Sequence, residues 1–247
     1  MNDANIVFDS IASEIRAFNR AGFTLAHRHE AVLGAAICNG YRRAFDAEGI
    51  ASGLSAVESY YRYTRSDLVN IPPKGDPRID VYCKWPNAER FVEIKWAWAK
   101  SGHRSWLDYY LWPAVRDLGK LAHYTRVEDS DHSWGRCVFV YVIASQDPAD
   151  VIERELAKAR SFTGLPDSET LRGQCENTFK GLRHALLPGD VDTSDWPSLW
   201  STLGYLKSVL RGLAKSAHGR VDERILADGP EIPVSERRRY VVVVGRF

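Results

Sequence analysis

The sequence predicts an α/β protein with a mixed sheet, and three observations support this prediction. The first is a β-hairpin over residues 78–100, RIDVYCKWPNAERFVEIKWAWAK, with strands predicted at Ile79–Cys83 and Phe91–Trp98. The second is RCVFVYVIAS at Arg136–Ser145, which contains a continuous apolar run typical of a strand covered on both faces. The third is the alternation of these strands with segments of helical periodicity, which is how α/β folds are built.

The segments around the hairpin complete the expected order of elements. Apolar residues at helical spacing predict two helices before the hairpin, and the second carries Glu30 in its first turn, where a carboxylate suits the helix dipole. The predicted segments are, in chain order, a helix ending near Gly22, a helix from about His27 to Phe45, a strand at Leu54–Tyr63 with a short helix as the alternative, a helix at Trp106–Tyr124 with Pro113 as a kink or break, and a helix from Ala149 to about Arg160.

The chain, residues 1–247, is expected to form a single domain because no internal repeat and no low-complexity linker interrupts it. Within it, the α/β core is expected over about residues 25–162, followed by a C-terminal helical and strand elaboration over about 163–247. The elaboration has a helical pattern at Leu199–Ala217 and ends in the strand RRRYVVVVGRF, residues 237–247. The sequence leaves open whether this last strand joins the core sheet.

Composition excludes some classes of protein. A hydrophobic content of 45% and a charged content of 26% indicate a folded chain. The net charge of +1 gives no argument for a polyanionic partner, but 24 Arg against 9 Lys supply planar donors suited to phosphate. The four cysteines form no CxxC pair, so no structural zinc site is expected. The absence of a cationic-then-apolar leader, together with apolar runs far too short to cross a bilayer, predicts a cytoplasmic protein without membrane contact.

Polar residues in the hairpin mark the candidate site. Side chains on the second strand alternate between faces, so Glu93 and Lys95 project to one side while Val92 and Ile94 take the other. Asp80 interrupts the apolar partner strand and can supply a second carboxylate close by. Glu93-Ile94-Lys95 is also the only acidic-x-Lys triplet in the chain. This arrangement is the one that a metal-dependent phosphodiesterase needs.

Asp80 followed by Glu93-Ile94-Lys95, after a helix that carries Glu30, resembles the PD-(D/E)XK nuclease superfamily, which includes restriction endonucleases and recombination exonucleases. The resemblance covers roughly Glu30 to Ser145. It implies a restriction-endonuclease-like core with a central mixed sheet flanked by helices, of order αβββαβ, which agrees with the order predicted from the segments. The sequence has Ile79 where the family often has proline.

The resemblance implies a role for each residue of the motif. Asp80 and Glu93 would bind Mg²⁺, with Mn²⁺ as the alternative ion, and the backbone carbonyl of Ile94 would be the third ligand. Oxygen ligands of this kind are those that Mg²⁺ prefers. Lys95 would orient or help to deprotonate the attacking water, and its charge would favour the developing anion.

A further acidic residue is implied, and the sequence offers two candidates. Glu30 is favoured by topology and would complete the metal shell or hold a second ion through water. Glu58, in the predicted first strand, competes for that role. Asp117 and Lys120, in the helix after the hairpin, resemble polar positions found there in some members of the family.

The expected function is therefore a metal-dependent nuclease, a hydrolase that acts on DNA and is classed as an endonuclease. The residues themselves do not distinguish DNA from RNA or endonuclease from exonuclease action. The resemblance allows a homodimer, since many nucleases of this type cut both strands as dimers. The alternative is a catalytically inactive protein of this fold that binds nucleic acid or a protein partner. The motif could also be an ordinary surface Glu–Lys pair. Arg237–Arg239 either contact a nucleic-acid backbone or form a charged cap on the last strand.

Overall fold

The computed structural model describes residues 1–25, 30–60, 78–86, 88–99, 114, 117–118, 121, 136–146, 210–211, 214–215 and 218–247. The main elements within these ranges are α1 (Asp3–Arg20), α2 (Glu30–Ala47), β1 (Leu54–Tyr60), β2 (Arg78–Trp85), β3 (Ala88–Ala99), β4 (Cys137–Gln146), β5 (Arg220–Ala227) and β6 (Arg238–Arg246). Four further residues between β3 and β4 are helical, and we refer to them as the crossover residues: Ala114, Asp117, Leu118 and Leu121.

One six-stranded mixed sheet contains these strands in the order β1-β2-β3-β4-β6-β5. β1, β2 and β3 form an antiparallel meander, β4 lies parallel to β3, and β6 lies antiparallel between β4 and β5. A parallel pair needs a crossover connection, and the crossover residues lie in it. The prediction of an α/β protein with a mixed sheet is confirmed, and the C-terminal strand joins this sheet beside β4.

The helices α1 and α2 cover one face of the sheet. Apolar residues at helical spacing in α1, such as Val7 and Ile11, are buried in a cluster that α2 and the sheet share. The two helices approach closely at Gly40, where a Cβ atom would overlap the hydroxyl of Ser10. α1 thus belongs to the hydrophobic core, although it precedes the core predicted over residues 25–162. Among the described helices, none is both long enough and apolar enough to cross a membrane.

β4 is buried on both faces, as its apolar run predicts. Every side chain from Cys137 to Ala144 is at most 4% exposed. Alternate residues such as Val140 face α1 and α2, while Phe139 and Tyr141, whose rings stack with centroids 6.3 Å apart, face the other side. β3 is therefore paired along one edge with a fully enclosed strand, which gives the candidate site a rigid support.

Some elements differ from their predictions. β2 and β3 stay paired as far as Trp85 and Ala88, so the hairpin ladder runs closer to its turn than predicted. The segment at Leu54–Tyr60 is a strand rather than a short helix. β5 has no counterpart among the predicted elements, because the four charges of RVDERILA give little strand signal. The strand tolerates these charges because it lies largely exposed at the edge of the sheet. The helix predicted at Ala149–Arg160 lies outside the described residues, as does most of the one at Leu199–Ala217.

Candidate active site

β2 and β3 stop pairing where the motif begins. Their antiparallel ladder runs from the turn to the pair Val81–Val92. Beyond that pair, β2 continues alongside β1, and β3 continues alongside β4. Asp80 and Glu93 are the next residues on the two strands. The motif therefore lies at the point where side chains, rather than a backbone ladder, connect β2 to β3.

Asp80 makes this connection with its carboxylate. Its Oδ2 accepts a hydrogen bond from the backbone N–H of Ile94 at 2.7 Å. An extended residue directs its N–H and C=O groups to the same side of the strand, so the Ile94 carbonyl also faces the β2 side. The Asp80 carboxylate and the Ile94 carbonyl, both expected to be metal ligands, thus lie along the edge of β3 that faces β2.

Glu93 is buried on the face opposite α1 and α2. Its neighbours Val92 and Ile94 belong to the cluster packed on those helices, so strand alternation turns Glu93 to the other side. Glu93 is only 2% exposed. A glutamate this buried is rare unless it is paired or binds a metal. Its burial also rules out the surface Glu–Lys pair that was one interpretation of the motif.

Lys95 has carboxylate neighbours from two other elements. Its Nζ lies 2.8 Å from Oδ2 of Asp117 and 3.4 Å from Oε1 of Glu30. Burial by itself lowers the pKa of Lys95, but the negative charges of Asp117, Glu30 and Asp80 outweigh burial, and the pKa is raised. Lys95 is therefore protonated at neutral pH. An ammonium suits orientation of water and stabilisation of an anion better than removal of a proton.

The first turn of α2 brings Glu30 to this site. Oε1 of Glu30 accepts a hydrogen bond from the backbone N–H of Trp96 at 2.9 Å, on the same strand as Lys95. One turn later, α2 packs over β2 at Gly34, where a Cβ atom would lie 3.7 Å from the carbonyl oxygen of Asp80. The Trp96 N–H, like the Ile94 N–H, is therefore bonded to a carboxylate and not to a neighbouring strand.

Glu58, the competing candidate, lies on β1. Its two chain neighbours pair with the residues on either side of Asp80, so its backbone lies next to that of Asp80. The Glu58 side chain is outside the described part of the structure. The topology therefore brings both acidic candidates towards the site, and the contacts with Lys95 and Trp96 define the position of the Glu30 carboxylate.

The oxygen atoms of the site are of the kind that a hard divalent cation binds. Asp80, Glu93 and the Ile94 carbonyl offer oxygen atoms, and Glu30 and Asp117 add negative charge nearby. Within the described ranges, no group of three or more His, Cys, Asp and Glu side chains is gathered at metal-binding geometry. The three acidic residues expected at the ion, Asp80, Glu93 and Glu30, are therefore not gathered in this way, and the smaller set is the Asp80 and Glu93 carboxylates with the Ile94 carbonyl. Mg²⁺ keeps several waters, so a set of this size suffices.

Two contacts of β3 give no signal in the sequence. Asp117 is a polar position on the helix after the hairpin, but nothing local indicates that Lys95 is its partner. On the other face of β3, which packs against α1 and α2, the ring of Tyr240 on β6 lies 5.9 Å from that of Trp96. An aromatic residue at the start of an apolar strand gives no sequence signal for such a contact.

Two of the arginines at 237–239 are used within the fold. Arg237 donates from Nε to the carbonyl of Ile232 at 2.8 Å, and Arg238 donates from Nη1 to the carbonyl of Leu25 at 3.1 Å. Arg239 is exposed. These bonds favour the charged-cap interpretation for the first two arginines, while Arg239 is accessible to a phosphate.

Comparison of the chain with family models, with curated proteins and with solved structures returned no match. The resemblance to the PD-(D/E)XK superfamily therefore stays a prediction based on the motif and the order of elements.

Proposed function

We propose that this protein is a Mg²⁺-dependent nuclease with a restriction-endonuclease-like core, hydrolysing phosphodiester bonds in DNA. The observation that carries the proposal is the hydrogen bond from the Ile94 N–H to the Asp80 carboxylate, because it joins the two separate parts of the motif. The order of elements supports it as well. α2, β1, β2, β3, the crossover residues and β4 follow the order αβββαβ, with β4 parallel to β3.

The residues of the site have distinct parts in this reaction. A bound divalent ion would neutralise charge on the phosphate and lower the pKa of a coordinated water. Asp80, Glu93 and the Ile94 carbonyl would hold the ion, and Glu30 would complete its surroundings. Lys95 would orient or help to deprotonate the attacking water, and its ammonium form would stabilise negative charge on the phosphate oxygens.

Cleavage assays test the proposal directly. Supercoiled plasmid, single-stranded DNA and RNA are incubated with the protein in Mg²⁺ or Mn²⁺, beside reactions in EDTA. We expect Lys95→Ala and Glu93→Gln to lower the rate by about 10²-fold or more, as loss of an electrostatic contact to the transition state does. Lys84→Ala, at an exposed position of β2, and Glu89→Gln, four residues and about 13 Å before Glu93 on β3, should keep the rate.

The controls make the result specific to the site. Glu89→Gln repeats the chemical change of Glu93→Gln on the same strand, so a loss confined to Glu93→Gln belongs to the site and not to the strand. Unchanged cleavage in Lys95→Ala, or cleavage that persists in EDTA, would contradict the proposed mechanism.

Thermal unfolding tests metal binding without relying on cleavage. An ion bound with a Kd of about 1 mM stabilises the folded protein by about 1.4 kcal/mol at about 10 mM free ion. For a chain of this length, that free energy raises Tm by roughly 3–5 °C. Glu93→Gln should abolish most of the rise, and Glu89→Gln should retain it. An equal rise in both variants would place the ion elsewhere.

A non-catalytic binding protein of the same fold is the second candidate. It is favoured by one observation: Glu30 is engaged by the Trp96 N–H and by Lys95, as in a purely structural network. Under this alternative, the protein cleaves no DNA or RNA, and Mg²⁺ does not change Tm. The two assays together therefore distinguish the candidates.

A further inference from the structure

The ammonium of Lys95 is held more closely by Asp117 than by Glu30. The distance from Nζ is 2.8 Å to Asp117 Oδ2 and 3.4 Å to Glu30 Oε1. The side chain of Asp117 is 7% exposed, whereas that of Glu30 is 40% exposed. Water screens the interaction with Glu30 more strongly, so Asp117 is the main electrostatic partner of Lys95.

Asp117 is itself held firmly in place. The other crossover residues, Ala114, Leu118 and Leu121, are fully buried. The Sγ of Cys137 on β4 donates to the Leu121 carbonyl at 3.4 Å. Because β4 pairs directly with β3, these contacts fix Asp117 relative to the strand that carries Lys95.

Packing alone does not explain a buried Lys–Asp pair. Desolvation of two charges offsets most of their attraction, and apolar residues of similar volume often stabilise a fold equally well. The lysine side chain also loses up to about 2 kcal/mol of rotamer entropy when its end is fixed. A fixed ammonium is useful where its position matters, and Lys95 follows Glu93 and Ile94 directly in the motif.

We infer that Asp117 is a positioning residue, which holds the Lys95 ammonium in its working place at the active site. This inference rests on the proposed nuclease function. It also separates the tasks of the two acidic residues. With Asp117 in place, Lys95 does not depend on Glu30 for its position, so Glu30 can contribute to ion binding without releasing the ammonium.

The test compares Asp117→Asn, Asp117→Glu and Asp9→Asn with the wild-type protein. Asp9 is on α1 with a side chain 78% exposed, so it provides the same chemical change away from the site. Cleavage of a labelled oligonucleotide in Mg²⁺ gives kcat and KM, and its Kd is measured in EDTA. We expect Asp117→Asn to lower kcat by about 10–100-fold, the effect of a misplaced reacting group, with KM and Kd within about twofold of wild type.

Asp117→Glu keeps the carboxylate and should recover part of the lost kcat, and Asp9→Asn should match the wild type. A kcat within about twofold of wild type in Asp117→Asn would overturn the inference while leaving the nuclease proposal intact. So would a fall in Tm with no fall in kcat, or equal losses in the Asn and Glu variants. A wild-type protein that cleaves no nucleic acid would overturn both proposals, and that result is seen before any variant is made.

Discussion

Replacement of Asp3 by alanine should destabilise the protein strongly, because its buried carboxylate connects α1 to three other elements. Asp3, at the start of α1, is 3% exposed. Its oxygens accept hydrogen bonds from the Tyr41 hydroxyl of α2 at 2.8 Å and from Nε of Arg90 of β3 at 3.1 and 3.2 Å. Nη1 of Arg246 on β6 lies 3.4 Å away. These contacts hold α2, which carries Glu30, against β3, which carries the Glu-x-Lys triplet.

The magnitude follows from which partners are buried. The Arg90 side chain is 12% exposed, so removal of Asp3 leaves a largely buried cation without this partner. This loss lowers the free energy of unfolding by about 3–5 kcal/mol. The orphaned hydroxyl of Tyr41, which is fully buried, adds about 1–3 kcal/mol if counted alone. Arg246 is 40% exposed, and water compensates most of its loss. Because these contributions overlap, we expect the free energy of unfolding to fall by about 4–5 kcal/mol in total. The whole free energy of unfolding of a typical domain is about 5–15 kcal/mol.

Urea unfolding measures this effect, with Asp9→Ala as the matched control on the same helix. Asp9 is 78% exposed and lies 3.9 Å from Arg224, so its loss should change the free energy of unfolding by about 1 kcal/mol or less. Asp3→Asn keeps an acceptor oxygen but not the charge, and should lie between the two. If Asp3→Ala and Asp9→Ala destabilise the protein equally, the role given to the buried carboxylate is refuted.

Three further predictions concern stability. Lys95→Met should lower the free energy of unfolding in EDTA by about 3–5 kcal/mol, because it removes the ammonium that lies 2.8 Å from the buried Asp117 carboxylate; an unchanged urea midpoint would contradict this. Gly40→Ala should cost about 1–3 kcal/mol through overlap with Ser10, and Ser10→Ala in the same chain should restore most of the loss in thermal unfolding. Burial raises the pKa of Asp228, so its ionisation disfavours the folded state as pH rises through that pKa. Asp228→Asn should therefore gain in Tm relative to wild type as pH rises above the ordinary Asp pKa of about 4, and a constant difference would argue against the shift.

The hairpin and the core of the motif were predictable because their information is local. A spacing of two residues puts Glu93 and Lys95 on one face of any strand, whatever surrounds it. The continuous apolar run of β4 indicates burial on both faces for the same reason, since each face of the strand is apolar in its own right. An acidic residue such as Asp80 within an apolar strand is also visible without a structure.

The charge environment of Lys95 could not be predicted in this way. The closest carboxylate among the described side chains, that of Asp117, is on another element, and the contact depends on how the crossover residues pack on the sheet. The position of Glu30 depends similarly on the packing of α2 over β2 at Gly34. β5 is a strand because β6 offers it an edge, although its own charges give little strand signal.

The sequence by itself determined the α/β class, the strands β2 to β4 and the candidate motif of Asp80, Glu93 and Lys95, because periodicity along a strand is a property of neighbouring residues. At β1 it left a short helix open. Tertiary structure decided which carboxylates surround Lys95, how α1 enters the core and where the last two strands lie. These features arise from contacts between residues far apart in the chain. Such contacts form only when whole elements pack together, and the pattern within each element does not encode them.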